Sequence, residues 1–277
     1  KFPAMAKYLY QHKNWTDFTW QDKAINDVFG EVRLMQGKII GQMNALGFYA
    51  KEEVTLTALT LDVVKSFEIE GELLSYEQVR FSIARRLGIN TAGFVPSNRH
   101  IEGIVEMMLD ATQQYSLPLT EKRLFGWHAA LFPTGYSGPY RIEAGKYRTG
   151  EMQVVSGALG KEKVHYEAVA PELVKSEMDK FLDWFNYDNQ LDPVLKAAIA
   201  HFWFIIIHPF DDGNGRIARA IADMLLARAE HSGERFYSMS SQILIERKRY
   251  YEVLQRVQHS TGAVSYTHLT LPTIYSV

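Results

Sequence analysis

The run His208-Pro209-Phe210-Asp211-Asp212-Gly213-Asn214-Gly215-Arg216-Ile217-Ala218-Arg219 constrains this chain more than any other feature. It gathers a base, two carboxylates, a glycine-flanked asparagine and two arginines between an apolar run, Ala197 to Ile207, and a helical pattern through Ile217, Ile221, Met224 and Leu225. A polar cluster so bounded is expected to form the turn between two helices. The N-terminus of the second helix offers unpaired N–H groups and the positive end of a dipole. Gly213 and Gly215 remove the Cβ atoms that would keep the backbone off an anion, and Asn214 tolerates left-handed angles. A phosphate-binding nest is the expected product. Arg216 and Arg219, three apart, add bidentate phosphate contacts from near one helix face. Asp212 beside a polyphosphate calls for an intervening cation and reads as a Mg²⁺ ligand. His208 is left as general base.

Two other readings compete. The pieces taken singly describe a core histidine and a surface turn. Gly213-x-Gly215-x-x-Ala218 also resembles a degenerate dinucleotide fingerprint, but the polar residues inside the loop and the lack of alternating strands and helices argue against it.

The segment resembles the signature of the Fic family, His-x-Phe-x-(Asp/Glu)-Gly-Asn-Gly-Arg-x-x-Arg, at every fixed position. The resemblance implies a mainly helical, all-α fold with a small β-hairpin flap, and an enzyme that transfers AMP from ATP to a Ser, Thr or Tyr hydroxyl of a target protein or of itself, releasing pyrophosphate. On this likeness His208 deprotonates the hydroxyl and Asp212 holds Mg²⁺. Gly213, Asn214 and Gly215 cradle the phosphates, Arg216 and Arg219 bind their β/γ end, and Phe210 anchors the loop. Ser66-Phe67-Glu68-Ile69-Glu70-Gly71 is similar to the family's inhibitory motif, (Ser/Thr)-x-x-x-Glu-(Gly/Asn), in the arrangement where it precedes the core. Ser66 and Glu70, four apart, share a helix face, and Gly71 is a natural stop. By analogy Glu70 pairs with Arg219 and takes the arginine that the γ-phosphate of ATP needs, with Ser66 supporting the helix.

From Gly145 to Gly157, two short segments flank a Thr149-Gly150-Glu151 turn and suggest a hairpin. In the family the corresponding hairpin is a flap that receives the target peptide as an added strand. Lys146, Tyr147, Arg148, Met152 and Val154 are the expected target-binding positions. Tyr250 and Tyr251 line the adenine in relatives or pack in the core.

Composition sets outer limits. An apolar fraction of 47% over 277 residues supports a large buried core, and a net charge of −2 gives no general attraction to nucleic acid or anionic membrane. Without cysteine, disulfides and thiolate metal sites are excluded, and a reducing, cytoplasmic location is expected. No apolar run approaches a membrane span, and no P-loop motif occurs. Arg247-Lys248-Arg249 reads as a solvated helix face.

The expected division is an N-terminal helical module over 1–60, an inhibitory helix and connector over 61–95, a catalytic core over 96–262 and an atypical tail over 263–277 in place of the winged-helix-like domain of many relatives. The N-terminal block carries Trp15, Phe18 and Trp20 before an apolar pattern through Ile25, Val28, Val32, Met35, Ile39 and Met43. Further helices are expected at 52–69, 75–87, 98–114, 120–131, 171–186, 192–207, 214–230 and 240–258, with Pro171 and Pro193 at starts and Gly88 and Gly233 at stops. The expected partner is a target protein docked on the flap, and a homodimer is compatible with the resemblance. Removal of AMP, use of another phospho-donor, and a non-catalytic nucleotide- or peptide-binding module are the alternative functions.

Overall fold

A computed structural model of the protein describes residues 7–19, 22–90, 93, 95–156, 163–188 and 190–259. The tail from 263 lies outside them, as does Trp20. Helix ends follow local chemistry. Ser75, Asn98 and Thr120 accept N–H bonds at the starts of α3 (Tyr76–Leu87), α4 (Arg99–Gln113) and α5 (Glu121–Leu131). Pro171 opens α6 (Pro171–Tyr187), and Pro193 opens α7 (Pro193–Ile207) behind an Asp192 cap. Gly88 closes α3 in the left-handed region at φ +74°. Gly233 does not close α8 (Asn214–Glu230); His231 takes the left-handed cap there at φ +51°.

Helix α7 is buried from Val194 through Ile206 to Ile207 and forms the centre of the molecule, packed most extensively against α8. Helices α4, α5 and α6 surround this pair, and α2 (Phe48–Ile69) lies across α3 and α9 (Met239–Ile245). Because α2 is continuous through residue 60, the expected boundary at 60/61 cuts a helix and is withdrawn. The expected helix over 240–258 is two, α9 and α10 (Arg247–Gln258), turned at Glu246: α9 packs on α2, while α10 packs on the 9–11 segment and a strand.

The first helix, α1 (Asp22–Asn44), buries Ile25, Val32 and Gln36, whereas Met35 is exposed. The segment before it is fastened by aromatic contacts: Trp15 and Phe18 meet Trp203 of α7 edge-on, and Trp15 Nε1 donates to Glu177 of α6 at 3.2 Å. No helix among the described residues is long and apolar enough to cross a membrane.

Among the described residues, two antiparallel pairs complete the fold: β1 (Tyr136–Ser137) with β2 (Tyr140–Arg141), and β3 (Gln153–Ser156) with β4 (Lys163–Glu167). The expected hairpin turn at Thr149-Gly150-Glu151 is therefore misplaced. Residues 146–150 are anchored to the core by the backbone and side chain of Arg148, and the next paired strand after them begins only at Gln153.

Candidate functional site

The polar loop joins α7 to α8. His208 ends α7 at φ +51°, ψ +59°, a left-handed conformation uncommon outside glycine, and its N–H still donates to Phe204 O at 3.0 Å. Its ring Nδ1 lies 3.2 Å from Ile205 O. A carbonyl can only accept, so this contact places the proton on Nδ1 and leaves Nε2 as the basic nitrogen. Burial lowers the imidazole pKa from 6.5 to about 4 despite the Ile205 carbonyl, so the ring is neutral at physiological pH.

Below the histidine the loop is braced from three sides. Phe210 is fully buried, and Asn214 brackets it: its Oδ1 accepts from Phe210 N at 3.0 Å and its Nδ2 donates to Phe210 O at 2.8 Å. His128 of α5 stacks on Phe210 with ring centroids 4.2 Å apart, and its Nδ1 accepts from Gly145 N at 2.9 Å. Arg148, only 2% exposed, donates from Nε to His208 O (2.7 Å), from Nη1 to Gly150 O (2.8 Å), and from Nη2 to Val169 O and Ile207 O, while its backbone N–H binds Pro209 O. It caps the carbonyl end of α7 with a fixed cation. The expectation that Arg148 binds a target on the flap is thereby overturned: every guanidinium nitrogen is committed to a main-chain oxygen.

Gly213 is left-handed at φ +79°, and a Cβ there would approach Phe132 Cε2 to 2.9 Å, so only glycine fits. The amides of the first turn of α8 follow. Asp212 stands at their mouth. Its Oδ1 accepts from Gly213 N at 2.5 Å and lies 3.3 Å from Arg216 Nη2, and its Oδ2 accepts from Ser137 Oγ. Burial opposes its ionisation, but Arg216, Ser137 and the Gly213 amide together hold the carboxyl below its usual range. An ionised carboxylate at a helix N-terminus suits Mg²⁺, which commonly takes one or two carboxylates and fills its remaining positions with phosphate and water. Among the described residues no group of three or more His, Cys, Asp or Glu side chains is placed to hold a metal by itself.

Both motif arginines are met by carboxylates from the end of α2. Arg219, 1% exposed, donates from Nε to Ser66 Oγ and from Nη2 to Ser66 O and Glu70 Oε1, each at 2.8 Å. Glu70 is the cap beyond Ile69 rather than part of the helix, and Gly71 follows at φ +84°. A Cβ on Gly215 would lie 2.4 Å from Glu70 Oε1, so this carboxylate lies directly against the backbone at the start of α8. Arg216 Nη1 is 3.3 Å from Glu72 Oε2, and Glu72 Oε1 is 2.7 Å from His100 Nε2. The bond to His100 lowers the Glu72 carboxyl pKa against the effect of burial, and Arg216 acts in the same direction.

His208, Asp212, Gly213 to Arg216 and Glu70 line one cavity of about 700 Å³, closed on its far side by α10. Tyr250 and Tyr251 both line it. Tyr250 is also a core residue, with its hydroxyl 2.8 Å from His201 Nε2, whereas Tyr251 is 42% exposed. Lys146 is 71% exposed in its side chain and lies away from the cavity lining, 3.9 Å from Glu143. Tyr147 packs its ring on Phe125 and Phe210, and Met152 is half-buried with its carbonyl accepting from Ala168 N. Val154 is in β3, but its side chain lies outside the described residues. Sequence reasoning missed His128, Ser137, Glu72 and His100. Only Glu72, two residues past Glu70, carried a signal, as part of the acidic crowd Glu68, Glu70 and Glu72.

Comparison with known proteins matches residues 8–89 to a domain of unknown function (DUF4172) and residues 118–226 to the Fic/DOC family. Protein adenylyltransferase fic-1 of Caenorhabditis briggsae is 39% identical over 90 residues, covering 32% of this chain and 16% of the relative. Protein adenylyltransferase Fic of Drosophila grimshawi is 30% identical over 193 residues, covering 69% of this chain and 36% of the relative. The chain thus spans well under half the length of these curated relatives. A crystal structure of a Fic family protein from Desulfovibrio desulfuricans superposes with a TM-score of 0.65 at 24% identity, over 92% of this chain and 73% of that one. The fold is shared.

Proposed function

Since residues 118–226 form a Fic/DOC domain, we propose that this protein is a protein adenylyltransferase, moving AMP from ATP to a Ser, Thr or Tyr hydroxyl of a target protein or of itself, and that Glu70 restrains it. One observation carries the reading: a neutral histidine with its proton on Nδ1 lines the same cavity as a glycine-flanked helix N-terminus and Arg216. The relatives named protein adenylyltransferase support it.

His208 Nε2 takes the proton of the target hydroxyl as its oxygen attacks the α-phosphorus. The bond from that phosphorus to the β-bridging oxygen breaks, and pyrophosphate leaves. The first amides of α8 and the guanidinium of Arg216 balance the charge on the departing phosphates. Asp212 would hold Mg²⁺ against the phosphates, where the ion neutralises charge and orients the tail. Glu70 withholds Arg219 and fills the space beside Gly215, so a triphosphate entering the cavity is denied its proper seat. The target is proposed to dock as an added strand on the β3–β4 pair, selected mainly by main-chain bonds.

The test is incubation of the full chain with labelled ATP, Mg²⁺ and a cell lysate. Glu70→Gly is expected to label itself or a lysate protein, with much weaker labelling by the unaltered protein. His208→Ala in the Glu70→Gly background is expected to lose transfer by about 10²-fold or more while still binding ATP. Equal labelling with and without Glu70 removes the restraint. Absence of pyrophosphate release from every variant favours a binding module instead. A second reading, hydrolytic removal of AMP, is favoured by the Glu70 carboxylate lining the same cavity as His208, where it can orient a water. Release of AMP from a labelled target by the unaltered protein, lost in Glu70→Gly, would establish it.

A further inference from the structure

Gly71, left-handed at φ +84°, separates Glu70 from Glu72 at the end of α2, and the two carboxylates reach different arginines of the motif. Arg216 is almost wholly buried, with its guanidinium carbon 5.0 Å from the ring centres of both Phe67 and Phe132. Its Nη2 faces Asp212 at 3.3 Å and its Nη1 faces Glu72 at 3.3 Å, so the pairing nitrogens are both occupied by carboxylates. Glu72 is in turn held by His100 at the start of α4, 2.7 Å away. The Ser-x-x-x-Glu-Gly motif ends at Gly71 and does not include this residue.

We infer that Glu72 is a second restraint on the phosphate site: a positioning residue, braced by His100, that occupies Arg216 in competition with the phosphate tail of the nucleotide. This rests on the adenylyltransferase reading and deepens it. Carboxylate and phosphate oxygens use the same guanidinium N–H groups, and a fixed negative charge beside a polyphosphate site repels the ligand. Removing Glu70 takes the carboxylate from Arg219 alone, which keeps its bonds to Ser66; Arg216 stays engaged by Glu72. The two restraints therefore act on separate arginines and add, with Glu72 the weaker because it lies 3.3 Å from its arginine where Glu70 lies 2.8 Å from its own.

Equilibrium binding of ATP and AMP with Mg²⁺, measured by calorimetry on the full chain, separates the possibilities without relying on turnover. In the Glu70→Gly background, Glu72→Gln is expected to tighten ATP binding by about threefold to tenfold, on the scale of a partly exposed ion pair plus relieved repulsion. AMP binding, which lacks the β- and γ-phosphates, is expected to stay unchanged. His100→Asn in the same background is expected to tighten ATP binding in the same direction by a smaller factor. Unchanged ATP affinity in Glu70→Gly/Glu72→Gln, or a parallel shift for AMP, overturns the second restraint while leaving the adenylyltransferase reading intact. Failure of Glu70→Gly itself to bind ATP overturns both.

Discussion

At the scale of single residues, the site depends on what is removed as much as on what is supplied. His208, the proposed base, is kept neutral by burial, which holds its pKa near 4, and the Ile205 carbonyl fixes its tautomer. Gly215 matters for the opposite reason: the space its missing side chain leaves is where Glu70 lies. Alanine is favoured in helices by about 1 kcal/mol over glycine, so in the Glu70→Gly background, where the 2.4 Å approach to Glu70 Oε1 is gone, Gly215→Ala should keep or raise the melting temperature. Its methyl group would nevertheless fill the proposed phosphate seat. In the Glu70→Gly background, Gly215→Ala is expected to weaken ATP binding by at least about tenfold in a calorimetric titration, the scale of one lost charge-assisted contact. Unimpaired binding would show that the phosphates do not approach this backbone.

At the scale of elements, the carbonyl end of α7 and the segment ahead of β3 behave as one unit, because Arg148 bonds to both. Substituting Arg148→Met keeps much of the apolar stem but orphans several buried carbonyls. The expected cost is about 2–4 kcal/mol in urea unfolding, with transfer lost in the Glu70→Gly background. Lys146→Ala, two residues away and mostly exposed, should change stability by less than about 0.5 kcal/mol. Equal effects of the two substitutions would contradict the bracing role. The spacing in the sequence treats these residues as neighbours on one hairpin. Only the approach of the α7 terminus, some sixty positions away in the chain, distinguishes them.

For the whole molecule, buried histidines couple folding to pH. His128 and His201 lie in the core, and burial is the largest cause lowering each pKa from 6.5 to about 4. The unfolded chain therefore takes up these protons first as pH falls. Stability is unaffected above pH about 6.5 and declines between about 6.5 and 4, by about 1.4 kcal/mol per pH unit for each histidine. Carboxylates also titrate near the lower end, so the contribution is read by difference. His128→Gln, neutral throughout, should make the acid decline in urea unfolding free energy shallower by about that slope. An identical pH profile for both proteins would rule the coupling out. The same burial secures the N-terminal segment: Trp15 and Phe18 pack on Trp203 of the central helix, so residues 8–89 and the segment 118–226 that matches the Fic/DOC family share a core.

The sequence by itself determined most of the helices, though not the break at Glu246 or the stop at His231, and it determined the identity of the loop, because helix periodicity, N-caps, Pro171 and Pro193 act over a few residues, and because the motif from His208 to Arg219 carries its chemistry in contiguous order. It also marked Ser66 and Glu70, whose spacing is local. Tertiary structure decided which partner each charge meets. Glu72 on Arg216, His100 behind Glu72, His128 under Phe210 and Ser137 on Asp212 join residues far apart in the chain, and no periodicity encodes such encounters. It also decided that Arg148 turns inward, because a buried helix end with unpaired carbonyls draws in a cation that the local pattern alone would leave in solvent.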